Sequence, residues 1–586
     1  MFERFQHMYR RLAALAIGLT LCCLALHAAQ NSGKASIEGA VTKLGGGPLR
    51  GARISLNKAD PNGGGLGPSI ANASTDDNGH FLITGLEPGP YRISALHDGF
   101  IHQEYARGAP ISIPAGARIR TDFQLAPAGV ISGRVLDDLG EPLAGATIQA
   151  QTYQYINGKA TLMSVPVQLS LPGAYSPPAQ TTTNDLGEYR LFWLQPGEYF
   201  INVRARPQIA TPATVDVGAP PVNRTFFGGN VDHPLPEALA PIYYPGAVDV
   251  SAASPVKVTA SADIKGIDFT WKPLALPSIR GQIVLPTAPE PQNSGRRLAG
   301  GSRSGTIVLT RVGGGRVQVS SQTGSSQAGP SGNFELFEIR GVPSGSYYVN
   351  ASLRQDASTY FARIRVDLGD ADVNGIVATA QPTRDVRGQI VLESGSIPNF
   401  RMSQLLVGVS AIDEMGLGTW NSAVAEDGTF TLRNLAPVEY RVFVSGLPEG
   451  AYMMSANIGS TDVLTQPFPL ETEQPLQLHL GFSTGRLTGT VVDSNGAECS
   501  GATVTLVPDE PRRSRADLHF TAVTDVSGRF SLRNIPPGTY RVFAWDNIPS
   551  GATQAADFMR PFESLGKPVR IEKDGVAEIR LGLISN

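Results

Sequence analysis

The chain has 586 residues, of which 41% are hydrophobic and only 17% charged, with 65 Gly and 44 Pro. This balance excludes a disordered chain and describes turn-rich, exported all-β protein, long enough for four or five domains. A formal net charge of −3 leaves no nucleic-acid or polyanion footprint.

Residues 1–29 read as a targeting segment left out of the fold. Arg4, Arg10 and Arg11 form its basic start, residues 12–26 its apolar core, and Ala28-Ala29 a small-residue cleavage site. The position three before the cut is Leu26 or His27, neither of them small. Cleavage and retention as a signal anchor therefore both stay open, retention being the one route to a membrane. Cys22 and Cys23 leave with a cleaved segment, so Cys499 then stands alone and no intramolecular disulfide forms.

The rest of the chain repeats one hairpin five times. A polar turn leads into a Gly, an aromatic follows two residues later, and a Tyr follows after an apolar run and a second turn. The triplets are Gly79/Phe81/Tyr91, Gly187/Tyr189/Tyr199, Gly332/Phe334/Tyr347, Gly428/Phe430/Tyr440 and Gly528/Phe530/Tyr540. Aromatic to Tyr is ten residues in four copies and thirteen in the third. The first turn places a short polar side chain ahead of a Gly, and Pro88-Gly89, Pro196-Gly197 and Pro537-Gly538 make the second. After the Tyr the residues alternate, as in Tyr540-Arg541-Val542-Phe543-Ala544, which is a strand with one face inward. Each Tyr is expected at a sandwich corner, with its ring buried and its hydroxyl bonded back to the chain.

Every copy opens on an apolar-x-Gly step, at Gly39, Gly133, Gly281, Gly388 and Gly489, and closes on a strand near 111–125, 256–271, 364–380, 470–482 and 569–583. No segment has amphipathic helical periodicity. The expected fold is all-β, a tandem array of antiparallel Ig-like or transthyretin-like β-sandwiches over residues 30–127, 128–275, 276–383, 384–484 and 485–586.

Catalytic and metal motifs are missing. None of the eight His begins a His-x-x-Glu or His-x-x-x-His pair, no Gly-x-Ser-x-Gly elbow occurs, and the Gly-rich runs do not lead into helices. Asp370-Ala371-Asp372-Val373-Asn374-Gly375 has the first half of a Ca²⁺ loop. Its twelfth position is Gln381 rather than Glu, and it aligns with the closing-strand turn at 262–267, so it reads as structure. Cys499 occupies a Leu position of other copies and reads as a small buried apolar residue. Arg512, Arg513 and Arg515, flanked by Asp509, Glu510 and Asp517, read as a solvated, neutralised loop. No enzyme, metal or cofactor is expected.

Gly-x-Val, then Gly-x-x-Leu-x-Gly-Ala, then Asp-x-x-Gly-x-Phe, then Pro-Gly-x-Tyr, best shown by the first, second and fifth copies, resembles the carboxypeptidase regulatory-like domain. That family is grouped with transthyretin-like and carbohydrate-binding-like sandwiches. Tyr243-Tyr244-Pro245-Gly246, and Phe543-Ala544-Trp545-Asp546 with Arg560-Pro561-Phe562-Glu563, resemble large secreted arrays of such domains in acidobacteria. The resemblance implies an accessory, non-catalytic sandwich and a secreted or cell-envelope binding and spacer protein, periplasmic or at the outer surface, with a polysaccharide as ligand. The alternative is a protein-interaction or adhesive scaffold that contacts an envelope protein.

Function is expected where the copies differ. The insertions of the second copy carry Tyr153, Tyr155, Tyr175, Phe226, Phe227, Tyr243 and Tyr244, loop aromatics able to stack on sugar rings or anchor a partner. Trp193 is a further platform, because its equivalents Gly85, Asn434 and Asn534 are not core types.

Overall fold

A computed structural model describes residues 34–59, 66–156, 158–165, 179–204, 241–272, 276–286, 303–312, 327–328, 334–355, 358–393, 400–412, 419–468, 470 and 474–585. Among the described residues the strands form ten sheets, which face each other in pairs as five successive sandwiches, each around its own apolar core. No helix among them is long and apolar enough to cross a membrane.

One pattern builds each sandwich. In the first, the opening strand Ala35–Lys43 pairs antiparallel with His80–Leu86 and parallel with Arg118–Arg120 and Phe123–Leu125. The facing sheet is built on Arg53–Ala59 and Gly89–Leu96. Most pairings are antiparallel, and the closing strand is the exception, running parallel to the opening one in every copy. The opening Gly makes that closeness possible: a Cβ on Gly39 would lie 1.7 Å from the Thr121 carbonyl oxygen, and on Gly489 1.9 Å from that of Ile579.

The five tyrosines lie at corners. Their rings are buried, and each hydroxyl donates to the carbonyl four residues upstream: Tyr91 to Glu87 at 2.8 Å, Tyr199 to Gln195 at 2.6 Å, Tyr347 to Pro343 at 2.6 Å, Tyr440 to Ala436 at 3.0 Å and Tyr540 to Pro536 at 2.8 Å. A short acceptor fixes the preceding turn, as where Asp525 Oδ1 takes the N–H groups of Ser527 and Arg529, each at 2.9 Å. Buried Thr75, Thr183 and Thr524 also staple their sandwiches, each hydroxyl donating to the backbone of the preceding loop.

The third copy is in phase with the others once pairing is seen. Gly281 lies opposite Phe337, as Gly39 does Phe81 and Gly489 does Phe530, while Phe334 lies opposite Val284. Phe337 is therefore the repeat aromatic instead of Phe334, and the thirteen-residue spacing becomes the usual ten. Gly332 lies outside the described residues.

The fifth sandwich carries a clasp of short helical turns, Ala552–Gln554, Ala556–Met559 and Arg560–Leu565, too brief for periodicity to reveal. The clasp covers the outer face of the sheet, where Val507, Phe543, Trp545, Met559 and Ile584 form a second small core. Trp545 is fully buried there, and its Nε1–H donates to Thr505 Oγ1 at 2.9 Å. The arginine group is neutralised but not solvated. Arg515 is only 7% exposed and donates to the Met453 carbonyl of the fourth sandwich at 2.9 Å and to Asp517 at 2.6 Å. Arg513 pairs with Glu563 of the clasp, and Arg512 lies over the Tyr540 ring. A single desolvated guanidinium with several acceptors ties two sandwiches together more firmly than a rim charge.

The last sandwich also returns to the first two. Arg107 pairs with Asp546, and Gly501 packs against Arg107. Tyr155, on the long hairpin of the second sandwich, meets Phe558 of the clasp edge-on at 5.5 Å.

Candidate functional site

In the second sandwich the strand Glu188–Leu194 pairs with the opening strand Gly129–Leu136, with a bulge where Gly129 faces Leu194 and Ile131 faces Leu191. The first, fourth and fifth sandwiches bulge at the same place. The bulge residue has left-handed backbone: φ is 78° at Gly85, 55° at Asn434 and 57° at Asn534, and Gly341 of the third sandwich matches them at 69°. Gly and Asn suit this conformation, whereas a bulky residue there is an outlier that costs on the order of 1–3 kcal/mol. Trp193 occupies the slot at φ 62°. Its non-core equivalents thus have a backbone cause, and the Trp is the anomaly.

The unusual backbone turns the half-buried indole toward the first sandwich, where a Cβ on Gly99 would be 3.1 Å from Nε1. Phe192, 44% exposed, meets the indole edge-on at 5.3 Å. Both rings line a cleft of about 540 Å³ whose other walls include Pro127 and Ala128, Ser261 and Asp263. The junction beside it is held by backbone bonds, Ser261 N–H to the Pro127 carbonyl at 2.8 Å and Ala128 N–H to that of Gly99 at 2.9 Å. Arg190 and Phe192 also line a second cleft, of about 750 Å³, that continues over the outer face of the sheet past Arg134, Glu188 and Lys265.

Most charges along these clefts are paired. Arg134 meets Glu188 at 2.7 Å and holds its carboxyl below the usual range, and Lys265 meets Asp263 at 3.2 Å. Asp268 accepts the Arg134 backbone N–H at 2.8 Å. Tyr189, beneath the second cleft, donates to the Ile267 carbonyl at 2.6 Å, and burial holds its hydroxyl protonated far above the ordinary range.

The other aromatic candidates do not join Trp193. Tyr153 is 41% exposed and edge-on to Phe200 at 5.3 Å, on the facing sheet. Tyr243 lies near it, half-buried on the two-residue strand that pairs with Asn202 and Val203. Burial raises the hydroxyl pKa of both. Close to that pair, Arg311 of the third sandwich meets Asp249 at 3.1 Å. Tyr244 packs against the core, edge-on to Phe269 at 6.1 Å, and Tyr155 is taken up by the Phe558 contact. Tyr175, Phe226 and Phe227 lie outside the described residues. Phe192 and Arg190 were not foreseen, although a signal existed: both take the outward phase of a strand on which Tyr189 and Leu191 point inward.

Among the described residues no group of three His, Cys, Asp or Glu side chains could hold a metal ion. The Ca²⁺-like turn is occupied by its own chain, since Asp372 accepts from Ser278 N–H and from Arg280, both at 2.8 Å. Cys499 is half-buried against the edge of the last core, less enclosed than its repeat equivalent Leu49, and burial pushes its thiol pKa up.

Residues 36–126 and 486–556 match the carboxypeptidase regulatory-like domain. The chain carries carboxypeptidase regulatory-like domains. They lie in its first and last sandwiches, and the opening Gly and corner Tyr described for them recur in the three between. No match was found among curated proteins. Of similar solved structures, the TIE protein of Bacillus anthracis is 11% identical, with 60% of this chain and 51% of that chain covered and a TM-score of 0.15. This chain thus spans about half of it. The minor pilin GBS52 of Streptococcus agalactiae is 12% identical, with 45% and 100% covered and a TM-score of 0.23. BcpA, the major pilin subunit of Bacillus cereus, is 10% identical, with 94% and 99% covered and a TM-score of 0.14. These superpositions are too loose to bear on what the chain does.

Proposed function

We propose that the chain is an exported, non-enzymatic binding and spacer protein of the cell envelope or surface, and that its second sandwich holds a carbohydrate in the cleft beside Trp193 and Phe192. The observation that carries this reading is the Trp at a left-handed bulge position where the other sandwiches place Gly or Asn. Strain of that kind persists where it serves a site. Here it aims an indole at a cleft of ligand size, next to an exposed Phe and paired charges that can turn donors and acceptors toward hydroxyl groups. The four other sandwiches then act as spacers.

Isothermal titration of the full chain against a panel of plant and bacterial polysaccharides tests this. Binding is expected for at least one glycan, with loss of at least tenfold in affinity in Trp193→Gly, a change that suits the local backbone. Failure to bind any polysaccharide overturns the reading.

A protein-interaction scaffold is the second reading, favoured by two exposed leucines. Leu139 is 84% and Leu186 54% exposed, in turns brought to the same end of the second sandwich by the Val135 to Gly187 backbone bond. An envelope protein captured by the wild type and not by Leu139→Ser with Leu186→Ser supports it.

A further inference from the structure

Arg190 is common to both clefts and lies between them. The basic side chains on either side are taken up by Glu188 and Asp263, whereas the Arg190 side chain is exposed and its guanidinium has no ion pair or hydrogen bond among the described residues. Arg190 and Phe192 stand two residues apart on one face of a strand, a step of about 6.6 Å. A sugar ring stacked on Phe192 or Trp193 thus brings the substituent of its neighbour over the guanidinium. A planar guanidinium with free N–H groups matches a carboxylate bidentately.

The combination is peculiar to this sandwich. The residues at the places of Arg190, Phe192 and Trp193 are Leu82, Thr84 and Gly85 in the first, Glu338, Arg340 and Gly341 in the third, Thr431, Arg433 and Asn434 in the fourth, and Ser531, Arg533 and Asn534 in the fifth. None of these sets joins a cation to an aromatic. Among the described residues that line the clefts, the pairing of Arg134 and Lys265 leaves Arg190 as the cation to read a negative group, which argues against a densely charged polymer.

From this geometry we infer that the cleft takes an oligosaccharide carrying a single uronic acid among neutral sugars, with the carboxylate on Arg190 and a neighbouring ring on Phe192 and Trp193. The inference rests on the saccharide reading above and adds the acid to it. The probe is a glucuronoxylan oligosaccharide with one glucuronate, titrated into the full chain beside its carboxyl-reduced counterpart. The wild type is expected to prefer the acid by about tenfold, with the preference shrinking as salt screens the pair. Arg190→Gln should bind both sugars alike at the affinity of the reduced one, Arg190→Lys should restore part of the preference, and Trp193→Gly should lose both sugars. Arg190 is exposed, so its variants are expected to keep the wild-type circular dichroism. Equal wild-type binding of acid and reduced sugar, or a preference that survives Arg190→Gln, overturns the inference and leaves the saccharide reading standing. Competition by polyglutamate as strong as by the acid sugar overturns the sugar class, and binding of neither probe overturns the inference as well.

Discussion

Replacing Trp193 by Ala and by Gly separates backbone strain from ring packing. Both changes remove the half-buried indole and its contacts with Gly99 and Phe192, so that loss cancels between them. What remains is the Cβ at φ 62°. A residue with a Cβ pays about 1–2 kcal/mol in this region, and Gly pays none. Against this, Gly gives the unfolded chain more freedom, by about 0.4–1 kcal/mol. Trp193→Gly should therefore be more stable than Trp193→Ala by about 1 kcal/mol, the reverse of the order at an ordinary strand position. Trp193→Asn should lie between them, as Asn434 and Asn534 imply. Five sandwiches need not melt together, so the measurement is hydrogen exchange by mass spectrometry over residues 188–204 of the full chain, with the last sandwich as internal reference. If Trp193→Ala proves as well protected as Trp193→Gly, the backbone at this bulge is not left-handed in solution, and the strain argument for the site fails.

The corner tyrosines allow a graded test: Tyr540→Phe loses only the bond to Pro536 and should lower the stability of the last sandwich by about 1 kcal/mol, while Tyr540→Ala should cost about 3 kcal/mol, read from urea transitions. An unchanged transition for the Ala variant would mean that the ring is exposed. Burial pushes the Tyr199 and Tyr540 hydroxyls up to about 12, above the ordinary 10.0. The folded form therefore keeps protons that the unfolded chain gives up, so this contribution is complete below pH 10 and lost as pH rises toward 12, by about 3 kcal/mol for each. Near-ultraviolet circular dichroism should fall over that interval, less so in the double Phe variant, and a flat profile through pH 12 contradicts the assignment. Of the two contacts that the last sandwich makes with the first and the second, the Arg107–Asp546 pair to the first is exposed on both sides and worth little, whereas the Tyr155–Phe558 contact to the second is worth about 1 kcal/mol. Tyr155→Ala should speed exchange in residues 552–559 several-fold and enlarge the radius of gyration in X-ray scattering, with Arg107→Ala near wild type; equal effects of the two refute this ranking.

Repeat architecture, all-β class and corner tyrosines were legible in the chain because each rests on local chemistry. Turn residues, alternation and a Tyr six residues past the bulge residue act within one hairpin. The opening Gly was visible as a repeat feature, but its reason, a parallel closing strand within contact of its Cα, belongs to a segment about 80 residues away. The limits of local reading appear at the third copy, where two Phe compete for one role and only pairing with Gly281 selects Phe337. They appear again at Arg515, whose charged neighbours suggested solvent although its partner is a carbonyl of another sandwich.

The sequence by itself determined what most of the hairpins are: which residues turn, which face inward, and that Trp193 stands where three sister copies have Gly or Asn. Tertiary structure alone decided what that substitution does. A left-handed φ at a bulge, a wall supplied by Gly99 and Pro127 of another sandwich, and an Arg190 whose neighbours are already paired make a cleft of it. Strand register and contacts between sandwiches depend on residues far apart in the chain, and no local pattern encodes them.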